Sequence, residues 1–428
     1  MRPKVFYGWY VVGACLLITL YTSGVVYFGF TSIFEPLAEE FGWSYAQISV
    51  AASLRGLEVG LLAPLVGLLV DRWGPRRLVF IGSILVSVGF LLLGRVSSLV
   101  MFYGAFALLA IGMSTCTQTV LMTAVTNWFR RKAGLAIGIA ATGVGLGGLL
   151  VPGVTRLIDV LQWRTAMVVV GLGMLVLVLP LSLLVRHKPE HYGYQPDGET
   201  SSTVETMGAR ISKASTEVNI SAKQALRQRA FWHIAVAAMC HAFVVGAVVT
   251  HIMPYLSSLG IARSVSSLVA LLLPVASIGG RLSSGWLCDR FGSRLVSVAG
   301  FVSTSAGLLL FAYIAAGRMW LLVPFVITFG LGWGYNVTTR ISLQREYFGM
   351  VSFGTIIGFL SGIMMLGNVT GTPLAGWVFD TWDTYQGAWL GYSALTLVGA
   401  FLVFTIPSSK NTALQLDPRE TRQGTKLT

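Results

Sequence analysis

Arg281 stands in the run Gly279-Gly280-Arg281-Leu282-Ser283-Ser284-Gly285, inside a long apolar stretch. A guanidinium in such surroundings is costly unless something pairs with it. One turn away in the same helix stand Ser277 and Gly285, neither of them acidic. A ligand carboxylate would answer the planar fork with two parallel hydrogen bonds; the alternative is internal pairing with Glu58 or with backbone carbonyls. Tyr335 matches Arg281 in depth, and its phenol can donate to a second carboxylate oxygen or an α-hydroxyl, or simply pack on glycines 332 and 334. Asn336 adjoins it on another face. Among the polar residues from Ser114 to Thr123, Gln118 and Thr119 are the ligand candidates, the rest serving as contacts between helices. Tyr27 and Phe28 can close over an apolar tail or pack as ordinary aromatics.

Proton chemistry needs groups that titrate within reach of the same depth. Arg55 and Glu58 are three apart and can pair on one helix face, either as a structural ion pair or as a coupling element. His241 lies level with Arg281 and His251 nearer the outside, and imidazole titrates near neutral pH. No H-E-x-x-H, G-x-S-x-G, P-loop or clustered metal ligands occur, so the chain reads as no enzyme, with no metal and no organic cofactor. A proton is the expected coupling ion. Cys15, Cys116, Cys240 and Cys288 all fall in apolar stretches without C-x-x-C spacing, which argues against a disulfide framework.

The elements that position these residues follow from composition. Of 428 residues 54% are apolar and 11% charged, far from the roughly 25% charged of a soluble domain. Apolar segments fall at about 10–34, 46–70, 78–94, 99–126, 134–157 and 164–185, then 231–257, 264–287, 295–316, 319–343, 352–378 and 387–407. The basic opening continues into the first of these without a cleavage site, so it reads as a span and not a removable leader. Five of the thirty Lys and Arg lie in outer loops, two within spans and twenty-three inside, which places both termini in the cytoplasm. The net charge of +13 is thus a topology signal with a secondary attraction to anionic lipid, and nucleic acid is not an expected partner.

A repeat organises the whole. Gly67-Leu-Leu-Val-Asp71-Arg72-Trp73-Gly74-Pro75-Arg76 recurs as Gly285-Trp-Leu-Cys-Asp289-Arg290-Phe291-Gly292-Ser293-Arg294, an offset of 218 shared by Pro36 and Pro254, Gly42 and Gly260, and Gly112 and Gly330. The expected fold is therefore an all-α membrane protein of twelve transmembrane helices in two pseudo-symmetric halves. The first half covers 1–186 and the second 230–407, with a cytoplasmic linker at 187–229 and a tail at 408–428. Asp71, Arg72, Arg76, Asp289, Arg290 and Arg294 would form inner-face contacts that break and re-form as the halves rock.

At these motifs the sequence resembles the major facilitator superfamily, from about residue 7 to 407. Asn127-Trp128-Phe129-Arg130-Arg131-Lys132-Ala133-Gly134 and the opening Tyr7-Gly8-Trp9 are similar to the monocarboxylate transporter family, as a bacterial member, and to its relatives the oxalate:formate antiporters. The resemblance implies that Arg281 binds the substrate carboxylate. Two departures matter. Animal members carry an acid one turn before that arginine, where Ser277 stands here, and a lysine in the first span, which here has none from Tyr10 to Phe34. Oxalate antiporters carry a second basic residue in the eleventh span, and Ser352 to Val378 holds none, so one fixed cation and one carboxylate are expected. The reading is a monomeric inner-membrane transporter of small monocarboxylates such as lactate or pyruvate, working by alternating access with proton symport. An organic-anion exchanger is the rival, and a transport-like receptor a remote one.

Overall fold

The computed structural model describes residues 6–57, 62–116, 118–129, 133–186, 189–192, 222–349 and 353–406. With no water in a bilayer core, apolar runs must satisfy their backbone groups internally, and these runs do so as helices. Among the described residues ten helical segments are long and apolar enough to cross a membrane. We label the helices α1 (Tyr7–Phe41), α2 (Tyr45–Leu57 and Ala63–Trp73), α3 (Pro75–Leu93), α4 (Leu99–Trp128), α5 (133–161) and α6 (163–184). The second half holds α7 (Arg229–Ser258), α8 (Arg263–Phe291), α9 (Ser293–Ala312), α10 (Leu322–Phe348), α11 (Phe353–Trp382) and α12 (Gln386–Phe404).

Helices α5 and α6 form one apolar run that breaks at Gln162, where φ is 64° and ψ 152°. Before the break α5 climbs beside α1, with Gly143 against Leu16 and Gly147 against Ser23. After it α6 descends: Arg164 bonds the Gly94 carbonyl at the top, and the Tyr7 hydroxyl reaches the Leu184 carbonyl at the bottom. Helix α1 is longer than the expected 10–34, because the amphipathic turns carrying Glu35, Glu39 and Glu40 extend it past the apolar run. It stops at Gly42, whose φ of 64° suits a residue without Cβ.

The 218-residue offset is visible in the backbone. Gly42 and Gly260 both end their helices with φ near +64° to +73°, and Gly74 and Gly292 turn the chain with φ of 77° and 82°. The buried core divides accordingly. One cluster, including Phe34, Phe102, Trp128 and Trp163, is drawn wholly from residues 11–185; the second half holds two, one to which the first half adds buried Phe28 and Val151, and one around Phe231 and Phe348. Tyr7, Leu184, Phe231, Phe348 and Phe404 mark one end of the bundle, here the terminal face; Gly42, Gly94, Gly260 and Gln162 mark the far face. Most of the expected linker at 187–229, and the tail at 408–428, lie outside the described residues.

Candidate functional site

Helix α8 meets α5 along one stripe: a Cβ on Gly148 would touch the Pro274 ring and the Leu271 carbonyl, and one on Gly145 would touch Ile278. The next position on that stripe, seven after Pro274 and three after Ile278, is Arg281. It lies on the terminal side of these α5 contacts. Its Nε is buried without a hydrogen-bond partner, and among the described residues no acid pairs with it. Helix α10 braces this point. A Cβ on Gly334 would collide with the Ser277 carbonyl oxygen and stand 2.8 Å from the Arg281 backbone nitrogen, so glycine is required for the contact. Ser277, one turn before Arg281, donates to the Pro274 carbonyl at 2.6 Å and is satisfied within its own helix.

Above Arg281, toward the far face, aromatic rings bridge the halves. Residues Ser23–Phe28 form a widened π turn in α1, followed by a tight 3₁₀ turn at Gly29–Ile33, and this irregular stretch presents Tyr27 and Phe28. Phe28 packs edge-on against Trp333 of α10, with centroids 6.3 Å apart, and against Tyr27 at 5.1 Å. It is buried among Val151, Val244 and Val248.

Seven residues beyond Trp333, on the same face of α10 and on the terminal side of this ceiling, is Arg340. Its guanidinium contacts the Met364 sulfur of α11 and lies close enough to Arg281 for the two charges to repel. His241 of α7 is within electrostatic range of both arginines, its ring edge-on to Phe301 at 6.1 Å. Arg340, His241, Asn336 and Ser297 line one cleft. There the Ser297 hydroxyl donates to Asn336 Oδ1 at 3.3 Å, leaving Asn336 Nδ2 and His241 Nε2 buried without partners. Tyr335 is half-buried, with its Cβ against Gly300 of α9.

Arg281 is therefore not the only cation in this region: Arg340 of α10 lies within electrostatic range of it. Arg340 lies near the end of its span, where an arginine reads as an inner-face anchor, so composition gave no reason to single it out.

The far face is closed by polar contacts between the halves. Arg263, at the start of α8, pairs with Glu35 of α1 at 3.2 Å and with Asp159 of α5 at 3.0 Å, and donates to the Ser32 carbonyl. Asp380, near the end of α11, accepts from the Tyr45 and Ala46 backbone N–H groups at 2.9 and 2.8 Å, which caps the N-terminus of α2. His251, fully buried, joins the same interface through three contacts: the Thr372 carbonyl at 2.9 Å, Ser49 Oγ at 3.0 Å and the Tyr385 hydroxyl at 2.9 Å. A carbonyl only accepts, so Nε2 carries a hydrogen. Subtracting the 218-residue offset from Arg263 gives Tyr45, so the two acid contacts with helix starts are mates across the pseudo-two-fold. In the sequence Arg263 reads as an outer-loop charge and nothing singles out Asp380 or Trp333, because their partners across the halves lie hundreds of residues away.

The remaining expected residues are spread out. Glu58 lies outside the described residues, as do the side chains of Arg55, Asp71, Gln118 and Thr119, whose backbones are helical. Arg72, Arg76, Asp289 and Arg290 are exposed on the terminal face, with Arg290 over the Trp286 and Phe291 rings. Arg294 donates to the Phe404 carbonyl at the end of α12. Among the described residues none of these side chains bonds to the opposite half, in contrast to the far face.

The sequence profile of the Major Facilitator Superfamily matches residues 15–355. Monocarboxylate transporter 12 of Mus musculus is 27% identical over 404 residues, covering 91% of this chain and 83% of that protein. Monocarboxylate transporter 11 of Homo sapiens is 28% identical, with 95% and 84% covered. Among solved structures, a bacterial homolog of the human lysosomal transporter Spinster, in an inward-facing and occupied conformation, aligns with a TM-score of 0.74 at 16% identity, over 97% of this chain and all of that one. A point mutant of the nucleoside transporter NupG aligns at 0.73 and 14% identity, over 94% of this chain and all of that one. These structural likenesses speak for the fold alone. With a profile that matches more than half of the sequence and a repeat carried in the backbone, the chain belongs to the Major Facilitator Superfamily.

Proposed function

We propose that this transporter carries small monocarboxylates of the lactate and pyruvate type, by alternating access and with proton symport. The observation that carries the reading is Arg281, a half-buried guanidinium on the terminal side of the α5–α8 contacts, with Nε buried and unpaired and no acid supplied by any described residue. At the bilayer centre such a charge costs about 2.5–3.5 kcal/mol unless compensated, and a carboxylate is the partner its geometry matches. The names of the relatives agree with that chemistry. The bias of Lys and Arg supports the terminal face as the cytoplasmic side of the cell membrane and the far face as the outer side. In this arrangement the substrate would meet Arg281 from the cytoplasm, and transport would require the Arg263, Asp380 and His251 contacts to break while Asp71, Asp289 and their basic neighbours close the terminal face.

The test is uptake of labelled lactate by the reconstituted protein under an imposed pH gradient. Accumulation into vesicles without internal anion supports symport; uptake only into vesicles preloaded with anion replaces symport with exchange. Absence of uptake of any monocarboxylate in either format overturns the proposal.

A further inference from the structure

One carboxylate on Arg281 would leave a second, half-buried cation uncompensated. Arg340 lies within electrostatic range of Arg281, lines the cleft with His241 and Asn336 and, among the described residues, finds only a thioether as a close partner. Between residues 222 and 406 the acids are Asp289, Glu346, Asp380 and Asp383, each at the end of a helix or in a turn. What surrounds Arg340 is a set of neutral polar groups without an acid among them. The Asn336 oxygen is engaged by Ser297, and its Nδ2, beside Gly300 in the cleft wall, is a buried donor without a partner. His241, 7% exposed, adds an unpaired Nε2. Hydrogen-bond donors and a cation without a facing acid are the arrangement that binds an anion.

We propose that Arg340, Asn336 and His241 form a second anion subsite beside Arg281, and that the substrates include short dicarboxylates, with one carboxylate at each arginine. The proposal rests on the carboxylate reading of Arg281. A dianion neutralises both cations at once, whereas a monoanion leaves Arg340 to be compensated by water entering from the terminal face. The second carboxylate would lie between the guanidinium and the Asn336 amide, held by charge-assisted bonds from both.

The experiment is competition against labelled lactate uptake in proteoliposomes by malonate, succinate and glutarate, beside acetate and unlabelled lactate, for the unmodified protein and for Arg340→Gln. At least one dicarboxylate should compete as well as lactate does. In Arg340→Gln the half-inhibiting concentration of that dicarboxylate, divided by that of lactate, should rise about tenfold or more, the size of one charge-assisted hydrogen bond. The ratio does not depend on how much variant inserts. If Arg340→Gln fails to turn over, the same ratio read from thermal stabilisation of the purified variant by succinate and by lactate decides. An unchanged ratio overturns the subsite. Uptake of lactate without competition by any dicarboxylate also overturns it and leaves the Arg281 reading intact; if that uptake requires chloride, the donors hold a free inorganic anion instead. Absence of uptake or competition by every carboxylate is the failure of the parent proposal.

Discussion

At the scale of single residues, an arginine is informative in proportion to what it lacks. Arg281 was legible in the sequence because Ser277 and Gly285 leave it without an acid one turn away, and the buried, unpaired Nε has the same meaning in three dimensions. Arg281→Lys should reduce uptake about tenfold to a hundredfold, since an ammonium keeps the charge but not the planar two-point pair. Initial rates, normalised to inserted protein, measure the loss. Near-normal uptake by Arg281→Ala would remove the residue from the site. Arg340 escaped sequence reasoning for a physical reason: charge near a span end is read as an anchor in the headgroup region, and only the packing of α7, α9 and α10 reveals that it faces a cleft. Asn336 and His241 were recognised individually, yet nothing in their spacing said that they share that cleft.

At the scale of elements, α2 and α8 begin at equivalent points of the repeat, and each start meets an acid from the other half. Asp380→Asn keeps an acceptor for one N–H but removes the charge that favours a helix N-terminus, an effect of about 0.3–1 kcal/mol when exposed. It should raise the fraction of molecules open at the far face by a few-fold, read as faster modification of a cysteine placed at Ser53 by an impermeant thiol reagent. No change in that rate would dismiss the cap as a latch. A steric counterpart lies at Gly148. A valine there would drive atoms into the Pro274 ring and the Leu271 carbonyl, so Gly148→Val should hold α5 off α8 and increase far-face labelling while lowering transport. Retention of wild-type cycling by that variant would mean that the α5–α8 contact can yield. The apolar periodicity specified helices and their approximate limits. It also set the reversal between 157 and 164, where Gln162 breaks the helix, but it could not specify the π turn at Ser23–Phe28, which follows from packing against other helices.

At the scale of the whole molecule, the repeat at 218 residues was the most informative feature of the sequence, and the paired left-handed glycines carry it into the backbone. The repeat does not say which face is closed, since both closures obey the same symmetry. Because Asp71 and Asp289 sit at the terminal face, Asp71→Asn or Asp289→Asn should slow the cycle more than it weakens binding. Reduced affinity with unchanged turnover of bound substrate would contradict a gating role. Coupling is tested by Glu58→Gln, which should reduce pH-driven accumulation more than exchange of labelled for unlabelled substrate, because exchange need not return an empty carrier. His241→Gln and His251→Gln belong in the same comparison. Unaltered accumulation in all three would assign coupling to another group, or to Arg281 and the substrate's own proton.

The triad of Arg263, Glu35 and Asp159 sits within reach of the solution beyond the far face, with side chains 26%, 14% and 48% exposed. Partly exposed ion pairs weaken as ionic strength rises, the screening length falling from roughly 30 Å at 0.01 M to about 8 Å at 0.15 M. The apolar ceiling of Phe28 and Trp333 and the donors around Arg340 have no such exposure on that side. An inert electrolyte added to one compartment therefore acts as a one-sided control on dwell time: it shortens residence in the closed state without competing for the substrate, and the same electrolyte in the opposite compartment leaves that residence unchanged.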